Sequence, residues 1–140
     1  MAGKLTYVLD ACALIALLDE ESGWDCVYKL LERANKEETL VCMNIVNLLE
    51  VYYDRLKKDA ALARDFHNTI HDSAVQIIGM YEDEIFYEAG QFKATYKRIS
   101  LGDAAGLATA ACLNAVFVTC DHHELEQVEQ NKKIPFLWIR

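Results

Sequence analysis

Short apolar runs alternate with longer segments of helical periodicity along the whole chain, and this alternation narrows the possible folds most. The runs cover residues 5–9, 39–43, 75–78, 116–119 and 136–139. Each is too short for a helix, and they are rich in Val, Ile, Phe and Tyr, so they read as strands. Helices are expected over 11–19, from a Ser22-Gly23-Trp24-Asp25 capping box to about Asn35, and from an Asn44 N-cap to about Lys58. Further helices are expected over 60–72, over 82–98, from a second box at Ser100-Leu101-Gly102-Asp103 into 104–113, and over 123–130. In the third of these, Ile45, Leu48, Leu49, Tyr52, Tyr53 and Leu56 recur at helical spacing. Strand–helix alternation implies an α/β architecture, and strands apolar on both sides imply helices on both faces of a central, mainly parallel sheet of about five strands. A chain of 140 residues suits a single domain, 1–140, with one substantial core.

Carboxylates stand where such a sheet places its ligands. Asp10 ends the first strand, Asp121 ends the fourth, and Asp103 opens a helix. Glu50 lies in the apolar stretch 45–53. An ionised carboxylate in an apolar run needs a partner, and ligands of parallel sheets bind beyond the carboxyl ends of the strands. Each acid also has a local explanation. Asp10 and Asp103 suit helix caps, Asp121 suits a turn, and Glu50 can extend to solvent. Gathered at one edge, the four would form a hard oxygen site for one or two Mg²⁺ or Mn²⁺ ions, which points to phosphate chemistry.

The net charge of −8, from 22 acids and 14 bases, argues against a general nucleic-acid binder. The bases are unevenly placed, however. Residues 89–102 carry no acid and include Lys93, Lys97 and Arg98, next to Asp103. These three are candidate RNA-phosphate contacts, although bases at the end of a helix also suit its dipole. The cysteines are Cys12, Cys26, Cys42, Cys112 and Cys120, an odd number with no C-x-x-C pair. Free thiols in a reducing compartment are expected, not a disulfide framework or a cysteine-rich zinc site. His122 and His123 read as loop or N-cap positions, and His67 and His71 as helix surface. No stretch reaches the roughly 18 apolar residues of a membrane span, so a cytoplasmic protein is expected.

Residues 8–15 (Val-Leu-Asp-Ala-Cys-Ala-Leu-Ile) resemble the opening of PIN domains. Residues 99–105 followed by 116–121 resemble their second half, and 44–53, with Glu50, their acidic helix. The order Asp, Glu, Asp, Asp is similar to that of VapC-like PIN toxins across essentially the whole chain. The resemblance implies an endoribonuclease with Asp10, Glu50, Asp103 and Asp121 as its acidic, Mg²⁺- or Mn²⁺-binding catalytic site. An activated water would cleave RNA to leave 5′-phosphate and 3′-hydroxyl ends. It also implies a cognate antitoxin and a homodimer. Two positions depart from the family pattern: Cys12 stands where Ser or Thr is common, and Gly102 where Ala is more usual.

Two other functions compete with this reading. A phosphotransfer receiver also gathers acids at strand ends but needs a lysine after a later strand, and the only basic residue after 136 is Arg140. A non-catalytic PIN-like binding or scaffold module would share the fold without the reaction.

Overall fold

The computed structural model describes residues 3–131 and 133–140. Five strands form one sheet: β1 (Thr6–Leu9), β2 (Leu40–Asn44), β3 (Gln76–Ile78), β4 (Val116–Thr119) and β5 (Phe136–Trp138). Their order is β3-β2-β1-β4-β5, and each neighbouring pair is parallel. The helices are α1 (Ala11–Leu18), α2 (Trp24–Asn35), α3 (Ile45–Lys58), α4 (Ala60–His71), α5 (Ile85–Thr95), α6 (Leu101–Cys112) and α7 (His122–Glu129).

Alternation along the strands divides the core into two layers. Val8, Cys42 and Phe117 face one side, where they meet Ile85, Phe92, Leu107 and Leu125 from α5, α6 and α7. Leu9, Met43 and Val118 face the other, where they meet Leu14, Val27, Val51 and Phe66 from α1 to α4. Both sides are therefore covered, as the apolar strands require. Leu9, Leu14 and Phe117 are almost fully buried, each contributing about 1.5–3 kcal/mol relative to exposure. The chain runs from β1 outward through β2 to β3, then returns to the other side of β1 for β4 and β5. The reversal opens a crevice at the carboxyl ends of β1 and β4, where this class of sheet binds ligands.

Two helix expectations need correction. The segment 82–98 is not one helix: a 3-10 turn at Glu82–Glu84 precedes α5, with Asp83 and Glu84 at positive φ. Restarting at Ile85 brings Ile85, Ala89 and Phe92 onto one buried face. α5 then stops at Thr95, where Lys93 Nζ donates to the carbonyls of Lys97 (2.7 Å) and Ile99 (2.6 Å). Nor does Ser22 cap α2. The N-cap is Gly23 at φ 92°, with no side-chain cap bond. A Cβ there would lie 2.3 Å from the Ile139 carbonyl oxygen, so close approach of the C-terminal segment selects glycine at this point. The second box does form, with Ser100 Oγ accepting from the Asp103 amide and Asp103 Oδ2 from the Ser100 amide. Among the described residues, no helix is long and apolar enough to cross a membrane.

Candidate metal centre

The strand ends position the first two acids. The Asp10 amide donates to the Val118 carbonyl at 3.1 Å, so Asp10 extends the β1–β4 pairing by one step before the chain turns into α1. Its Oδ1 accepts from the Ala13 amide at 2.9 Å, capping α1, and its Oδ2 accepts from the Thr119 hydroxyl. Thr119 Oγ1 also accepts from the Asp121 amide at 3.1 Å. One buried hydroxyl thus ties the two strand-end acids together. The Asp121 side chain makes no cap bond with α7, although its residue occupies the N-cap position.

The other two acids come from helices packed against each other. Glu50 Oε1 on α3 accepts from Asn47 Nδ2 at 3.1 Å, and the same nitrogen donates to the Gly102 carbonyl at 3.0 Å. Asn47 is buried, and its Oδ1 has no hydrogen-bond partner among the described residues. α3 and α6 approach so closely that a Cβ on Gly102 would stand 2.2 Å from Glu50 Oε1. Asp103, one residue further on, completes the capping box.

Asp10, Glu50, Asp103 and Asp121 line one cavity of about 310 Å³, together with Cys12, Asn47, Arg98, Ser100 and Glu124. The four acids come from the turns that follow β1 and β4 and from α3 and α6, and they border the same cavity. Burial pushes the Asp10 carboxyl up to about 7, opposed by the Thr119 and Ala13 hydrogen bonds and reinforced by the charges of Asp103 and Asp121. Burial also raises Glu50, opposed by Asn47 and helped by Asp103. Asp103 is raised by burial first, against its Ser100 bonds, with Asp121 and Glu124 adding to the rise. The cavity is a region of poorly compensated negative charge. Among the described residues, no group of three or more His, Cys, Asp or Glu side chains is gathered tightly enough to grip an ion as it stands. Two of the carboxylates are turned toward helix-cap partners. The donor chemistry nevertheless fits a divalent cation: several hard oxygens, raised pKa values that a cation would reverse, and no lysine among them.

Only one of the three candidate RNA contacts reaches this cavity. Arg98 lines it, Lys97 is exposed, and the Lys93 ammonium is engaged by two carbonyls at the end of α5. The adjacent histidines are not drawn into the site. His122 stacks on Trp138 at 4.0 Å with Nε2 2.7 Å from the Arg140 carbonyl, and His123 is exposed. Arg140 turns away to Glu21 and the Ser22 carbonyl, so it does not supply the cation that a receiver site requires. Arg55 pairs with Asp19 and Asp54, not with Glu50. A larger, mostly apolar groove of about 490 Å³ between α3 and α4 is walled by Leu48, Tyr52, Phe66 and Ile70, with Arg64 and His67 also in its lining and, among the described residues, no carboxylate.

The expectation of five free thiols fails for one pair. Cys12 and Cys120 are joined by a disulfide, while Cys26, Cys42 and Cys112 are free. The pair is 108 residues apart in sequence and meets only because β4 lies directly beside β1. Sequence reasoning also passed over Thr119, Asn47 and Glu124. Thr119 looks like an ordinary strand residue and Asn47 like a polar helix position; the one signal was Asn47's place three residues before Glu50, on the same helix face.

Solved structures share this fold. A chain of a toxin–antitoxin complex from Klebsiella pneumoniae superposes with a TM-score of 0.72 at 16% identity, covering 96% of this chain and 98% of that one. A chain of VapBC2 from Rickettsia felis, bound to a promoter DNA fragment, gives 0.72 at 16% identity, covering 95% and 98%. A chain of DNA-bound VapBC from Salmonella typhimurium gives 0.69 at 18% identity, covering 97% and 99%. No curated protein matches the chain in sequence. The family model for the PIN domain matches residues 7–131, nearly the whole length, and the chain belongs to the PIN-domain family.

Proposed function

We propose that this PIN-domain chain is a metal-dependent endoribonuclease and the toxin of a toxin–antitoxin pair. One observation carries the reading: four carboxylates from four different elements line one cavity at the sheet's switch point, with burial holding three of them above their ordinary pKa. Asp10, Asp103 and Asp121 would hold one or two Mg²⁺ or Mn²⁺ ions, with Glu50 binding directly or through water. A bound divalent ion supplies Lewis acidity and lowers the pKa of water at the scissile phosphate.

The remaining work falls to the chain's own groups. Thr119 fixes the Asp10 carboxyl and the Asp121 backbone relative to each other. Asn47 holds Glu50 toward the cavity and, through Gly102, ties it to the start of α6. Among the described residues that line the cavity, Arg98 is the cation suited to a phosphate oxygen of the substrate backbone. Asp10, held near a pKa of 7, gives up its proton when positive charge enters the cavity.

The toxin assignment draws on the neighbours, which come from toxin–antitoxin complexes. It brings with it a cognate antitoxin, a homodimer and a cytoplasmic setting. A second reading, a PIN-like binding or scaffold module without catalysis, draws on the capping roles that Asp10 and Asp103 already fill.

A cleavage assay separates the two. Purified protein should cut RNA with Mg²⁺ or Mn²⁺ and stop with EDTA. Asp121→Asn should abolish cutting with a native circular dichroism spectrum, because that side chain caps nothing. Undiminished cutting by both Asp121→Asn and Asp10→Asn would remove the nuclease reading.

A further inference from the structure

We propose that Cys12 and Cys120 form a redox-controlled clamp on the acidic cavity, so that the bridged protein binds a divalent cation more tightly than the reduced one. This rests on the reading of the cavity as a metal centre.

The two cysteines flank the acids that the cavity must hold together. Cys12 lies in the first turn of α1, two residues after Asp10, and Cys120 lies between Thr119 and Asp121. Their Cα atoms are 6.2 Å apart, inside the roughly 4.4–6.8 Å range of Cα separations found in disulfides. Both residues are partly exposed and Cys12 lines the cavity, so a small oxidant or reductant in the cavity meets the pair at its wall. Cys42, by contrast, is buried.

The bridge bears on the acids through the backbone. β1 and β4 end together at the Asp10 amide–Val118 carbonyl bond. Beyond it, the segment carrying Asp121 is held to the Asp10 side by Thr119, by the Cys120 amide 3.2 Å from Cys12 Sγ, and by the bridge. Sulfur is a weak acceptor, so without the bridge the tether beyond Thr119 is slight. Asp10 on one side and Asp103 and Asp121 on the other line the same cavity, and like charges at close range repel one another when no cation is bound. A covalent link opposes that repulsion in advance, and a cation entering a pre-organised site loses less of its binding free energy to ordering the ligands.

The chemistry is that of ordinary thiol oxidation. With hydrogen peroxide, one thiolate attacks an oxygen and becomes a sulfenic acid as the first water leaves. The second thiol attacks that sulfur, forming the S–S bond and releasing the second water. Two thiols are oxidised and one peroxide is reduced to two waters. A dithiol reductant reverses the bond by exchange.

The test uses the full-length protein, treated with peroxide or with dithiothreitol and then freed of reagent. Thiol counting and peptide mass mapping should show three free thiols and a Cys12–Cys120 link after oxidation. Calorimetric titration with Mn²⁺ should give a dissociation constant at least about fivefold lower for the bridged form. Cys120→Ser should bind Mn²⁺ like reduced wild type under both treatments, whereas Cys26→Ser/Cys112→Ser should keep the response. Five free thiols after oxidation would overturn the clamp. A bridged form with unchanged Mn²⁺ affinity would overturn it too, while leaving the metal centre intact. Absence of Mn²⁺ binding in either form would overturn both.

Discussion

Asp10 carries a large pH dependence that a single substitution should expose. In the folded chain its pKa is about 7, against an ordinary value of 3.8. Between those values the folded protein keeps a proton that the unfolded chain has released. The stability associated with this proton is therefore complete below about pH 4, declines as pH rises, and is gone above about pH 7. The gap between the two pKa values corresponds to on the order of 4 kcal/mol. Asp10→Asn removes the titration. An asparagine can still accept from the Ala13 amide through its oxygen, but it presents an NH₂ group to Thr119, whose hydroxyl now donates to Asp10. Losing that pairing costs about 1–2 kcal/mol.

The two effects cross. In EDTA near pH 4 the variant should be less stable than wild type by about 1 kcal/mol. At pH 8 it should be more stable by about 2–3 kcal/mol, with the crossover near pH 5. Urea unfolding of both proteins at half-unit steps from pH 4 to 8 measures the difference directly, since every other titrating group is common to both. Excess Mg²⁺ at pH 8 should reverse the order, because only the intact carboxylate gains from the cation. A difference that stays flat across the range would mean that Asp10 is an ordinary ionised cap and that the cavity imposes no cost on it.

Four further outcomes follow from the structure. Arg55 is buried and forms a two-bond pair with Asp19, which is partly exposed and also held by Lys58, so Arg55→Ala should cost about 1.5–3 kcal/mol in urea unfolding. Because the Arg55 bond chiefly holds Asp19 down at about 2, the pair's contribution should be complete above about pH 4 and fade as pH falls toward 2; an Asp19→Asn difference curve without that acid limb would refute the pairing. Lys97→Gln and Arg98→Gln should each weaken RNA binding and flatten its salt dependence, whereas Lys93→Gln should leave the salt slope unchanged and cost about 1–2 kcal/mol of stability instead; equal salt effects for all three would show Lys93 free to meet phosphate. Gly102→Ala should push the Glu50 carboxylate off Asn47 with a net stability change within about 1 kcal/mol, the helix gain offsetting the lost bond, and a calorimetric Mn²⁺ affinity equal to wild type would show that Glu50's present position does not matter to the ion.

The strand ends are legible in this sequence because charge and hydropathy change together there. Asp10 follows four strand residues and Asp121 stands two residues past β4, and in a parallel sheet this places both at the same edge. What escaped depends on contacts remote in sequence. The Ser22 box has the right residue types, but Gly23 is set by the Ile139 carbonyl, more than a hundred residues away. The segment 82–98 keeps an apolar rhythm through its kink, and only the burial of Ile85 shows where the helix starts. Cys12 and Cys120 carry no spacing signal, because their meeting depends on strand order.

Capping and convergence are also not rival descriptions of the acids, because a carboxylate has two oxygens and a helix start has a direction. Asp10 binds the Ala13 amide with one oxygen and Thr119 with the other, and Asp103 returns a bond to Ser100 from the first turn of α6. Those bonds fix each backbone at the N-terminus of a helix that begins on the cavity wall, where the helix dipole favours the ionised acid. Burial and the neighbouring charges outweigh that favour at Asp10 and Asp103, which remain above their ordinary pKa. Capping therefore sets the positions of the acids, while burial and crowding keep Asp10 and Asp103 above their ordinary pKa.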